Sequence, residues 1–307
     1  MTDAASWTVS GRARGTGMER TAARAMWERF EPVHDLVYFA PEARRAADEL
    51  GMRGFWMGYF ALRAAPLGPV PAPVVTACFY VFHPDRVTRA LPDAWRYASP
   101  GDVLDAREQA MDAAMTRLFG PDLVSSARMT EAADLAWRAA ETADIAGRPL
   151  AAANQALDRP RQSCARLWQA LTTLREHRGD GHVATLVGHG VAPVAAMVLK
   201  AAAGESDAAL LREGRKWDQA DWHAAETELR ERGWLDDAGA LTPAGVTGRA
   251  AIEARTDAVA EGPWRALGQE NTARLADLLD PLAAAVRKSG LLPDGNPVGV
   301  TGTGTGG

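Results

Sequence analysis

The chain is short of the motifs by which many enzymes declare their chemistry. Across its 307 residues there is no GxxxxGKS phosphate loop, no GxGxxG turn following a strand, no GxSxG elbow and no CxxC pair. These gaps disfavour mononucleotide hydrolysis, classical dehydrogenase chemistry and serine hydrolysis. Cysteine is nearly missing too. Cys78 and Cys164 lie far apart, without metal-type spacing, in apolar segments, so they read as buried free thiols in a reducing compartment. No stretch approaches the ~18–20 apolar residues of a membrane helix. Residues 1–17 are polar and glycine-dotted, lack the apolar core of a signal peptide, and are read as a disordered leader. A cytoplasmic protein is expected. The net charge of -5 argues against a surface built chiefly to neutralise phosphates.

What is present is a globular composition, 47% hydrophobic and 24% charged, in a chain long enough for two domains. Apolar residues recur every three or four positions almost throughout, so the fold class is mainly α. Ser99-Pro100, Asp218 and Thr242-Pro243 are helix starts, and glycines such as Gly120, Gly204 and Gly233 are stops. The run 74–82, β-branched and aromatic, fits either a strand or a buried helix.

The strongest local pattern covers residues 220–259. A helix ends in Leu229-Arg-Glu-Arg-Gly233-Trp-Leu235, a short Asp236-Asp-Ala-Gly239 turn follows, and Leu241-Thr242-Pro243-Ala244-Gly245 opens a long amphipathic helix. This segment resembles the winged helix of the MarR type. The whole chain also resembles a largely uncharacterised group of actinobacterial helix-turn-helix proteins, through "HDLVYFAPEAR", "GFWMGYFALRAAPLG", "LREHRGDGHVA" and "GALTPAG". The abundance of Ala, Arg, Gly and Asp fits a high-GC genome of that kind. The resemblance implies an architecture and no established activity.

Ungapped echoes recur in order along the chain. Ala165-Arg166-Leu167, Leu171 and Leu174 match Ala273-Arg274-Leu275, Leu279 and Leu282. Thr130, Ala132, Ala139 and Glu141 match Thr242, Ala244, Ala251 and Glu253, and Gly54–Gly68 has the span of Gly190–Gly204. The expectation is two tandem winged-helix-like halves, 18–160 and 161–292, forming an intramolecular pseudo-dimer with short β-wings. A flexible tail, 293–307, would follow. MarR-type proteins work as dimers, so a fused chain implies a monomer or weak homodimer.

Candidate site residues cluster. All four tyrosines and six of the seven phenylalanines fall between residues 27 and 97, an excess that suits a pocket wall as well as a bulky core. His34 and Tyr38, and likewise Tyr59 and Arg63, share a helix face at four-residue spacing. Tyr38, Trp56, Tyr59, Phe60, Arg63 and Tyr80 are expected to bind ligand. Arg63 could clamp a carboxylate or phosphate, or cap carbonyls. The polar cluster 175–182 reads as a turn through Gly179 and Gly181, with Asp180 capping the next helix. Functionally it would close the pocket, with His177 and Arg178 on the ligand and Asp180, His182 and His34 as acid–base groups. His177 and His182 lack the spacing of a helical zinc site, so no metal is expected and no cofactor is identified. His83, His189 and His223 read as loop or surface residues.

A MarR-type regulator would read DNA with the helix beginning at Asp221. That helix offers Asp221, Glu226 and Glu228, and the wing offers Asp236 and Asp237. The reading is therefore a small-molecule-binding protein, its ligand aromatic or apolar, with DNA binding lost and an enzymatic role in specialised metabolism left open. The alternative is a ligand-responsive DNA-binding regulator.

Overall fold

The computed structural model describes residues 21–293; the expected leader, and the tail beyond residue 293, lie outside the described residues. It is mainly helical, as the periodicity requires. The chain begins with α1 (Ala22–His34), α2 (Leu36–Phe39), α3 (Pro41–Glu49), α4 (Gly54–Ala64) and α5 (Ala72–Phe79). It continues through α6 (Pro84–Thr88), α7 (Pro100–Phe119), α8 (Pro121–Val124), α9 (Ala127–Glu141) and α10 (Pro149–Gln155). Then come α11 (Ser163–Gly188), α12 (Pro193–Ala202), α13 (Ala208–Arg215), α14 (Gln219–Glu231), α15 (Pro243–Val259), α16 (Gly262–Leu267) and α17 (Gln269–Lys288).

The helix starts follow from side-chain chemistry. Ser99 and Asp102 form a reciprocal capping box on α7, and Asp218 and Asp221 form another on α14. Thr242 accepts from the Gly245 N–H, with Pro243 in the first turn, to start α15. The ambiguous run 74–82 resolves as the end of α5, closed by Tyr80 at φ 52°.

Two expectations are corrected. Residues 175–182 are not a turn: α11 is one helix of 26 residues. Gly181 serves close packing, since a Cβ there would stand 2.5 Å from Arg148 Nη1 and 2.9 Å from Val259 Cγ2. Asp180 consequently caps no following helix. Nor are there β-wings. Among the described residues the only bridge is Leu235 with Leu241, because the Asp236–Ala240 turn leaves the flanking backbone too short to pair further.

α11 is buried on nearly every face between Cys164 and Leu174, which is why it lacks a single apolar stripe. It runs through the larger of two hydrophobic clusters, drawn from residues 22–174 and 260–292. The smaller cluster, 186–252, holds α12, α13 and α14 against the ends of α11 and α15, with Trp222, Leu229 and Trp234 inside. α13 and α14 are joined through Lys216, in the left-handed region at φ 68°, Trp217 and Asp218. They make a helix-turn-helix. Among the described residues no single helix is long and apolar enough to cross a membrane.

Candidate functional site

Where the helix-turn-helix module meets the rest of the molecule there is a cavity of about 620 Å³. Its aromatic side comes from α4 and the segment after α5. Trp56 and Tyr59 rings lie 5.5 Å apart, and Phe82 is 5.7 Å from Trp56 and 5.6 Å from Tyr59. Tyr38 sits 5.3 Å from Tyr59, and exposed Phe55 packs 5.1 Å from Trp56.

Charged side chains line the cavity beside these rings. Glu176, 1% exposed, takes both Nε (2.9 Å) and Nη2 (3.0 Å) of Arg63 and also Nη1 of Arg175 (2.9 Å). Arg175 reaches on to Glu31 at 3.4 Å. Burial alone would raise the Glu176 pKa, but the guanidiniums of Arg63 and Arg175 outweigh it and hold the carboxyl well below the usual range. A second network joins Arg24 and Arg178 to Glu253 and Asp257, with Arg178 Nη1 at 2.7 Å from Asp257. Arg63 thus clamps a carboxylate, but one belonging to the chain itself.

Of the residues expected from sequence, Tyr38, Trp56, Tyr59, Arg63, Tyr80, Arg178 and His182 line the cavity. Tyr80 is tied down by donating to the Val191 carbonyl at 2.6 Å. His182 Nδ1 meets Thr256 Oγ1 at 2.9 Å, and that hydroxyl donates to the Ile252 carbonyl. With the hydroxyl's one proton on that carbonyl, the His182 tautomer that fits carries its proton on Nδ1 and leaves Nε2 as an acceptor. Burial lowers the His182 pKa and keeps the ring neutral.

The other four stand behind the wall. Phe60 is fully buried, stacking 5.7 Å from Phe79 and 5.0 Å from Phe82. His34 is 1% exposed; its Nε2 lies 2.9 Å from the Tyr38 hydroxyl and Nδ1 3.0 Å from Thr172, so it orients Tyr38. Burial lowers its pKa well below the ordinary value. Asp180 accepts from the Ala151 N–H at 2.9 Å, capping α10 across the fold, and burial lifts its pKa to about 6. His177 is buried with Nε2 unpartnered among the described residues, its pKa lowered to about 4, first by burial and then by Arg148. Sequence reasoning missed Glu31 and Arg215 as wall residues, and it placed Arg175 and Glu176 only within the polar cluster 175–182, without a role of their own. Their roles depend on partners more than a hundred positions away, and no local spacing announces them. Of the remaining histidines, His83 caps α6, His189 ends α11 and His223 is exposed on α14. Among the described residues no group of three or more His, Cys, Asp or Glu is placed to hold a metal ion.

The face a regulator would present to DNA is acidic. Residues 219–232 carry four carboxylates against two guanidiniums, and both arginines are engaged. Arg230 meets Glu226 at 3.4 Å, while Arg232 donates to the His189 carbonyl at 2.8 Å and stacks on Trp234. Glu228, Glu231, Asp236 and Asp237 are exposed around them.

A model of a helix-turn-helix family matches residues 23–293. No curated protein and no solved structure matches the chain.

Proposed function

Because the chain belongs to this helix-turn-helix family, we propose that it binds a small organic molecule in the cavity beside its helix-turn-helix module, on a MarR-like scaffold that no longer grips DNA. The single observation behind this reading is the contrast between two surfaces. The cavity of about 620 Å³ is open, aromatic and polar, whereas α14 and the following turn are net acidic with their arginines already paired. Volumes of roughly 300–1,000 Å³ with a few convergent polar groups are typical of ligand sites. An acidic helix facing a duplex would meet many phosphates at once.

A duplicated scaffold is part of the proposal. α9, α10 and α11 are matched in order by α15, α16 and α17, each set long, short and long, which moves the end of the first half from residue 160 to the end of α11. α4 and α5 have counterparts in α12 and α13, and the glycines that bracket α4 and α12, Gly54, Gly68, Gly190 and Gly204, all have positive φ. α7 and α14, the helices in the recognition position of each half, both start with a capping box. With two such halves in one chain no second copy is needed, consistent with a monomer or weak homodimer working in the cytoplasm. An enzymatic role would run through the free Nε2 of His182.

Intrinsic tryptophan fluorescence titrated against a metabolite library tests the reading, since Trp27 and Trp56 line the cavity. A saturable response is expected, and none with any compound would count against it. The helix-turn-helix itself favours the second reading, a DNA-binding regulator. Tight, salt-sensitive, sequence-dependent retardation of its own upstream DNA at low salt would reverse the ranking. Binder and enzyme separate by His182→Gln: turnover lost with affinity kept indicates catalysis.

A further inference from the structure

The charged wall is unevenly balanced. Seven arginine or lysine side chains line the cavity against four glutamates. Most of the cations have their carboxylates: Arg63 and Arg175 on Glu176, Arg24 and Arg178 on Glu253 and Asp257, Arg249 on Glu205 at 2.7 Å. Lys200 has its own contacts. Arg215, the last residue of α13, is different. Among the described residues its guanidinium makes no ion pair and no side-chain hydrogen bond, and its Nε is buried without an acceptor. It lies over the Phe82 ring at 4.2 Å, at the edge of the Trp56–Tyr59–Phe82 cluster.

Arg215 is half-buried, and a guanidinium whose Nε has lost water without gaining an acceptor is left under-satisfied, the more so beside other cations. Burial pulls its pKa down, and although Tyr59 and Tyr38 act the other way, the nearby charges of Arg63 and Arg175 add to the decrease. The wall is therefore short of negative charge at one defined place. A carboxylate entering there would accept from the guanidinium in the paired geometry that arginine is built for. A flat ring attached to it would meet the aromatic faces beside Arg215. The neutral His182, with Nε2 accepting, offers a place for a hydroxyl or N–H on the same molecule.

We propose, resting on the small-molecule reading of the cavity, that its ligand is a planar organic anion whose acid group sits on Arg215 against the Phe82–Tyr59–Trp56 surface. This narrows an aromatic or apolar ligand to an aromatic acid.

Calorimetric titration of the full-length protein with three probes of one shape tests it: 2-naphthoate, 2-naphthamide and 2-naphthylmethylamine. The naphthoate should bind at least about tenfold more tightly than the amide, as one charge-assisted hydrogen-bonded contact would give. Arg215→Met should abolish that preference, and Arg215→Lys should retain part of it. Equal affinities, or an advantage for the amine, would overturn the anion assignment yet leave the cavity as a small-molecule site. A naphthoate preference undiminished in Arg215→Met would overturn the role of Arg215. Binding of none of the three up to millimolar concentration would overturn the inference and count against the cavity itself. The wild-type comparison decides even if a variant fails to fold.

Discussion

Glu176 holds two guanidiniums from a position in α11 that water barely reaches. Removing its charge leaves Arg63 and Arg175 short of a partner in the wall, so Glu176→Gln should lower unfolding free energy in urea by about 3–5 kcal/mol, the usual cost of breaking a buried pair. Because its folded pKa is depressed, the wild-type contribution is complete above the ordinary glutamate pKa and fades as pH falls below it. Asp180 has the opposite sign. Its folded pKa is raised to about 6, so it favours folding fully only below the ordinary aspartate range, and that contribution is lost as pH rises through about 6. Asp180→Asn should therefore gain stability relative to wild type at pH 7 compared with pH 4; an identical difference at both would contradict the assignment. Some of this was legible in the sequence. His34 with Tyr38 and Tyr59 with Arg63 are one helical turn apart, and both pairs touch, at 2.9 and 3.3 Å. Arg215 was not legible as a wall residue, and Glu176 only as a member of the polar cluster 175–182, because what defines them lies across the fold.

At the scale of elements, α15 and the turn before it show how tightly a short motif can be constrained. Trp234 lies flat under the first turns of α15. A Cβ on Gly245 would stand 2.2 Å from the Trp234 carbonyl oxygen, and one on Gly248 would stand 2.4 Å from its ring. Gly245→Ala should cost about 1–3 kcal/mol through overpacking. Gly262→Ala, whose Cβ meets nothing within 4 Å, should stay within about 0.5 kcal/mol. Urea denaturation of the two variants checks the contrast. The same motif was readable as a sequence because capping chemistry is local: Ser99, Asp218 and Thr242 each start a helix. α11 was misread for a related reason. Two glycines within three residues look like a turn, and only the approach of Arg148 and Val259 reveals why Gly181 is needed in a continuous helix. The wing failed for want of length, since five residues of turn leave room for a single bridge.

Over the whole molecule, the helix-turn-helix module is fastened to the body along one seam. Tyr80 donates to Val191, Trp217 Nε1 donates to the Val81 carbonyl at 2.9 Å, and the His83 N–H donates to the Arg215 carbonyl at 3.0 Å. The cavity opens beside that seam, so a ligand touching Tyr80, Phe82 and Arg215 would contact both parts at once. The mainly helical class was plain from periodicity, and the 220–259 pattern showed α14 and α15, whereas α13, the first helix of the helix-turn-helix, lies outside it. The cavity was foreshadowed only by the crowding of aromatics between residues 27 and 97, of which Phe30 and Phe60 are core behind the wall while Phe79 and Phe82, equally buried, still line it. The measurement that bears most directly on the account is thermal unfolding against a metabolite library, for wild type and for Ala196→Trp, which places an indole in the cavity wall. At least one compound should raise the wild-type Tm, and the increase should vanish in the filled variant. No increase with any compound, or an increase that survives the filling, would contradict it.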